Sequence, residues 1–192
     1  MPKPPFDHFR IIAPVYEKFL HYMDTEPVRK RLALPTSGWL LDAGGGTGRV
    51  AQGLRPYVDR VVVVDYSEGM LRQAARKEGI IAVRGQAESL PFADGAFARI
   101  LVVDAFHHFH EQDRAVRELW RVLAPGGRLV IEEPNVDKFA VKLIAWGEKL
   151  LLMRSRFYRP AAIGQMFSAL GADVEVDTTD ALNGWVVVEK PR

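Results

Sequence analysis

Three aspartates and a run of glycines are the residues of this 192-residue chain whose types and spacing could do chemistry. From Trp39 a short apolar run ends in Asp42, passes through Gly44, Gly45, Gly46 and Gly48, and enters what reads as helix over 49–55. A strand that runs through a glycine turn into a helix offers backbone N–H groups at the positive end of the helix dipole. That is a seat for an anionic group. Asp65 follows Gly44 by 21 residues and closes a β-branched run, where a carboxylate can accept from both hydroxyls of a ribose. Asp104 closes another apolar run. Any one of these aspartates, taken singly, reads better as a turn or helix cap. Three at the carboxyl ends of strands, beside a glycine loop, point to a ligand site.

The glycine register leaves two ligands open. Counted from Gly44 it is Asp-x-Gly-x-Gly-x-Gly, and the third position of the dinucleotide fingerprint falls on Arg49, too large for close helix–strand packing. The frame Gly46-x-Gly48-x-x-Ala51 does fit that fingerprint, so a nicotinamide-dependent oxidoreductase is the alternative. Against it, no Tyr-x-x-x-Lys pair occurs. His107 and His108 offer an imidazole suited to proton transfer. His107 is the candidate base and His108 reads as a packing residue. With His110 they make a histidine trio, but no carboxylate stands at metal-ligand spacing, so no metal is expected. The absence of cysteine excludes disulfides, thiolate nucleophiles and cysteine-bound metal.

The elements that must position these groups follow from periodicity and punctuation. Residues 6–31 read mostly as helix, interrupted at Pro14 and Pro27. Strands are expected at 39–42, 60–65, 80–83, 99–104 and 128–131. Ser67 is expected to cap a helix with Met70, Leu71 and Ala74 inward, and Asp113 a helix running to Ala124, stopped by Pro125-Gly-Gly127. Helices are expected at 136–153 and 161–170, and two last strands at 173–176 and 184–189. The alternation through 131 argues an α/β fold: a Rossmann-like, doubly wound, mostly parallel seven-stranded sheet. Only a short loop separates the last two strands, so they form an antiparallel hairpin at the sheet edge.

Length and composition fit one globular domain: 48% hydrophobic and 26% charged residues. Its expected parts are an N-terminal helical lid (1–35), a ligand-binding core (36–135), a lid insert (136–160), and a closing helix with hairpin (161–192). The net charge of +2 is too small to imply nucleic acid. Residues 138–159 hold six basic residues against Glu148 alone, so the rest of the chain is net acidic. The sequence has no apolar run of membrane-spanning length, and its first five residues lack a signal-peptide core; a cytoplasmic location is expected.

Four stretches together resemble the ordered motifs of class I S-adenosylmethionine-dependent methyltransferases, in their ubiquinone/menaquinone-biosynthesis-like branch. They are Leu40-Leu-Asp-Ala-Gly-Gly-Gly-Thr-Gly48, Val64-Asp-Tyr-Ser-Glu-Gly-Met-Leu71, Gln86-Ala-Glu-Ser-Leu-Pro-Phe92 and Glu118-Leu-Trp-Arg-Val-Leu-Ala-Pro-Gly-Gly-Arg-Leu129. The resemblance implies S-adenosyl-L-methionine as cofactor and S-adenosyl-L-homocysteine as product. By position, Gly44, Gly45, Gly46 and Gly48 would cradle the methionine part, with Asp42 near its ammonium group. Asp65 would hold the ribose diol, Tyr66 and Met70 would flank the adenine, and Gln86 and Ala87 would meet its edge. Position 86 departs from the family's usual Asp, although the Gln86 carbonyl can accept the same bond. Asp104 would close the methionine side.

Acceptor clues lie around that core. The N-terminal helix with Tyr16, and the insert with Trp146, would cover the strand ends, and Phe106 and His107 would face the acceptor. Phe139, Leu143, Trp146, Leu150 and Met153 form one helical stripe beside Lys138, Lys142 and Lys149. Such a helix fits a lid with a solvated edge, or peripheral contact of 138–159 with an anionic membrane. Either way the expected partner is a small hydrophobic acceptor: quinone-like, phenolic or lipid-like. A non-catalytic S-adenosylmethionine-binding module is the remaining alternative. The acceptor atom and the oligomeric state are not legible in the sequence.

Overall fold

A computed structural model describes residues 25–135, 156–180 and 183–192. The strands are β1 (Trp39–Ala43), β2 (Arg60–Asp65), β3 (Ile80–Arg84), β4 (Phe97–Val103), β5 (Leu123–Pro134), β6 (Asp173–Asp177) and β7 (Asn183–Glu189). The helices among the described residues are α1 (Glu26–Arg31), α2 (Arg49–Leu54), α3 (Glu68–Ala74), α4 (Gln112–Val122) and α5 (Pro160–Ser168). The sheet order is β3-β2-β1-β4-β5-β7-β6, with the first five strands parallel and β7 antiparallel to both of its neighbours. The doubly wound sheet and the closing antiparallel hairpin are therefore as the alternation and the short final loop required.

The strands read as near-continuous apolar runs because both faces of the sheet are covered. On one face Leu41, Val62, Ile100 and Leu129 pack with Val116 and Leu119 of α4 and with Ile163 and Phe167 of α5. On the other, Leu40, Val61, Leu101 and Val130 pack with Val28 of α1, Leu54 of α2 and Leu71 of α3. Crossing from β1 to β4 reverses the direction in which strands are added. The glycine loop leaves β1 at that switch point, the place where doubly wound sheets bind their ligands.

Several local expectations shift. Pro27 sits in the first turn of α1, the position where its missing N–H is harmless, and the expected helix before it lies outside the described residues. Asp113 is not the cap of α4: Glu111 holds that position, and the Glu88 carboxylate accepts from His110 N at 2.6 Å and Glu111 N at 3.3 Å. A tertiary carboxylate has replaced the local cap. α4 ends at Val122, and β5 begins at Leu123 and continues through Pro125-Gly-Gly127. There Gly126 and Gly127 exchange backbone hydrogen bonds with Lys190. Ser67 caps α3 as expected, its hydroxyl accepting from Met70 N, with Met70, Leu71 and Ala74 buried. The expected N-terminal lid with Tyr16, most of the insert with Trp146 and the basic stripe lie outside the described residues.

Candidate active site

The glycine loop is built backbone to backbone. Gly44 N and Gly45 N both donate to Val64 O of β2, at 2.8 and 3.2 Å. Gly44, Gly46 and Gly48 have φ of +75°, +55° and +70°, which L side chains rarely adopt. Gly45 is required differently, because a Cβ there would fall 2.5 Å from the Asp42 carboxyl carbon. A Cβ on Gly44 would fall 2.7 Å from Ala105 Cβ, so the segment after β4 lies directly against the loop. At Gly46 an added Cβ would meet Asp65 Oδ2 and Met70 Sδ at 4.0 Å each, an ordinary contact distance, so the position is less crowded than Gly44 or Gly45. Gly48 is the N-cap residue of α2, whose first turn has no acidic residue.

Asp65 ties the loop to β2 and α3. Its Oδ2 accepts from Gly46 N at 2.9 Å and its Oδ1 from Ser67 N at 2.8 Å. Asp42 is 2% exposed; burial foremost, and the nearby Asp65 charge, push its carboxyl up to about 7. Tyr66 is 38% exposed beside buried Met70, and exposed Gln86 precedes buried Ala87. Gln86 bridges to Ser89. Asp104 is exposed at the end of β4 with φ +50°, a left-handed conformation in which a non-glycine residue stores strain.

The residue that sequence reasoning missed is Glu133. It lies at the end of β5, 3% exposed, and its Oε1 accepts from Ala105 N at 3.0 Å and Phe106 N at 2.8 Å. Its Oε2 lies 2.7 Å from His107 Nδ1. His107 is 2% exposed, stacked on Phe157 at 4.4 Å. Gln112 Nε2 donates to Phe106 O and Arg156 O, joining the same segment to the chain beyond the insert. His108, pressed down to about 3 by burial and then by His107, stays neutral across the working range, which agrees with a packing role. Two adjacent acids ending β5, at the edge where Asp42, Asp65 and Asp104 end their strands, were the available signal. Among the described residues no cluster of metal-ligating side chains forms. Nor is any described helix long and apolar enough to cross a membrane.

A sheet of this order, with a glycine loop at its switch point and an acid ending β2, defines the class I methyltransferase fold. Residues 41–131 match the family model described as a methyltransferase domain. YcgJ of Bacillus subtilis, named an uncharacterized methyltransferase, is 39% identical over 112 residues, covering 52% of this chain and 44% of the relative. Its crystal structure superposes with a TM-score of 0.76 and 20% identity, over 88% of this chain and 98% of that one. Demethylmenaquinone methyltransferase of Thermobifida fusca is 36% identical over 123 residues, covering 58% of this chain and 50% of the relative. Phosphoethanolamine N-methyltransferase 2 of Haemonchus contortus, solved with S-adenosyl-L-methionine, shares the fold at a TM-score of 0.79 and 16% identity. That overlap covers 98% of this chain and 59% of that one. The matches thus span about half the length of these curated relatives.

Proposed function

We propose that this chain is an S-adenosylmethionine-dependent methyltransferase acting on a small hydrophobic acceptor, quinone-like or phenolic in class. The observation that carries the reading is the hydrogen bond from Gly46 N to Asp65 Oδ2, which joins the glycine loop and the strand-end carboxylate in one cradle. Gly46, Asp65 and Met70 stand together there, and a loop of backbone N–H groups beside a carboxylate supplies the kinds of donor and acceptor that an adenosyl amino acid needs. In this reading Gly44, Gly45, Gly46 and Gly48 hold the methionine part and Asp42 faces its ammonium. Asp65 accepts from the ribose diol, Tyr66 and Met70 flank the adenine, Gln86 and Ala87 meet its edge, and Asp104 closes the methionine side.

When bound, the cofactor supplies a methyl group already activated on a sulfonium. The chain's task is alignment and water exclusion, worth ~7–11 kcal/mol of barrier. Phe106 and His107, with Tyr16 and Trp146 from the flanking segments, are assigned to the acceptor side, and His107 to proton removal where the acceptor must lose one. The demethylmenaquinone methyltransferase relatives support a quinone-like acceptor. The domain plan proposed is one catalytic core, 36–135, flanked by lid segments and closed by the helix and hairpin of 161–192.

Isothermal titration with S-adenosylmethionine and, in parallel, NADH tests the reading. Micromolar binding of the first alone, lost in Asp65→Ala, is expected. Binding of NADH instead, or of neither, would overturn it. Acceptor-dependent conversion with lipophilic quinones or phenols then separates an enzyme from a binding module.

A further inference from the structure

We infer that Glu133 is the positioning residue of this site, fixing both the wall against the glycine loop and the tautomer of His107; the inference rests on the methyltransferase reading. Three N–H donors from consecutive residues converge on one buried carboxyl: Ala105 N, Phe106 N and His107 Nδ1. Two backbone donors on Oε1 suit an ionised carboxylate, which only accepts, so the hydrogen of the third bond lies on Nδ1. In the neutral ring the lone pair is then on Nε2, the form a proton acceptor needs. The same logic of a buried carboxylate orienting an imidazole operates in hydrolase triads.

Position gives the arrangement its consequence. Ala105, held by Glu133, is the residue whose Cβ blocks any side chain at Gly44. One carboxylate therefore sets the distance between the glycine loop and the segment after β4, and orients the ring two residues further on. His108, held neutral, adds no competing cation at the ring 4.0 Å away. Phe157 fixes the ring plane at 13° to its own.

The test reads tautomers rather than turnover. Long-range 15N–1H correlation spectra of the full chain, recorded at about pH 8.5 where an ordinary imidazole is neutral, report which nitrogen carries the proton. The signals are assigned with His107→Asn. Wild type is expected to show Nδ1–H at His107. In Glu133→Gln the carboxamide oxygen still accepts from the two backbone groups, while its NH₂ faces Nδ1 and drives the proton to Nε2. Glu133→Asp, which keeps the charge, is expected to keep the wild-type tautomer. A wild-type proton on Nε2, or one spectrum shared by wild type and Glu133→Gln, would overturn the inference. The wild-type spectrum decides even where the Gln variant does not fold. Failure of wild type to bind S-adenosylhomocysteine overturns the methyltransferase reading instead, with the tautomer result standing apart from it.

Discussion

Asp42 is a buried acid whose folded-state value, about 7, lies well above its ordinary 3.8. The folded chain therefore holds a proton that the unfolded chain gives up. The stability from this group is full below 3.8 and is lost as pH rises through about 7. Asp42→Asn should raise the melting temperature of the unliganded protein at pH 8 and leave it unchanged at pH 3.5. A ligand ammonium beside Asp42 would favour its charged form. Titration at pH 7 in buffers of different ionisation enthalpy should then show release of roughly half a proton per S-adenosylmethionine bound, and none in Asp42→Asn. At this scale the strand-end aspartates could be found from spacing. Glu133 was signalled only by its place among the strand-end acids, and its role was not legible: its partners lie 26 to 28 residues away, and no local pattern marks those contacts.

Among the elements, the loop between β3 and β4 has no helix of its own and borrows order from α4. Glu118 Oε2 accepts from Leu90 N, and Arg121 donates to Leu90 O, Phe92 O and Asp94. These bonds explain why the Glu118-Leu-Trp-Arg121 stretch accompanies the Gln86–Phe92 stretch. The first pins down the second, which presents Gln86 and Ala87. Arg121→Met should deprotect the 86–95 amides in hydrogen exchange. It should also weaken S-adenosylhomocysteine binding by roughly tenfold, the scale of one charge-assisted hydrogen bond. The misplaced cap of α4 has the same origin. Asp113 had the right chemistry locally, but Glu88 reached the helix end from another element.

For the whole molecule, the sheet separates a stabilising face from a working edge. Phe167 of α5 is wholly buried in the core on one face of the sheet. Phe167→Ala should cost ~3–5 kcal/mol in chemical denaturation, while cofactor affinity, measured where the variant is still folded, stays at the wild-type level. Loss of affinity in step with stability would mean that the edge is not mechanically separate from the core.

The sequence by itself determined the alternation of strands and helices, the glycine loop, the acids ending β1, β2 and β4, and the closing hairpin. Each is written in local terms: a period, a turn residue, or a loop too short for a crossover. Only the tertiary structure decided which carboxylates brace the site, where α4 yields to β5, and that the loop after β4 is clamped by Glu133 against Gly44. Those arrangements depend on backbone donors left over by one element and satisfied by another, and such pairing exists only once the sheet has formed.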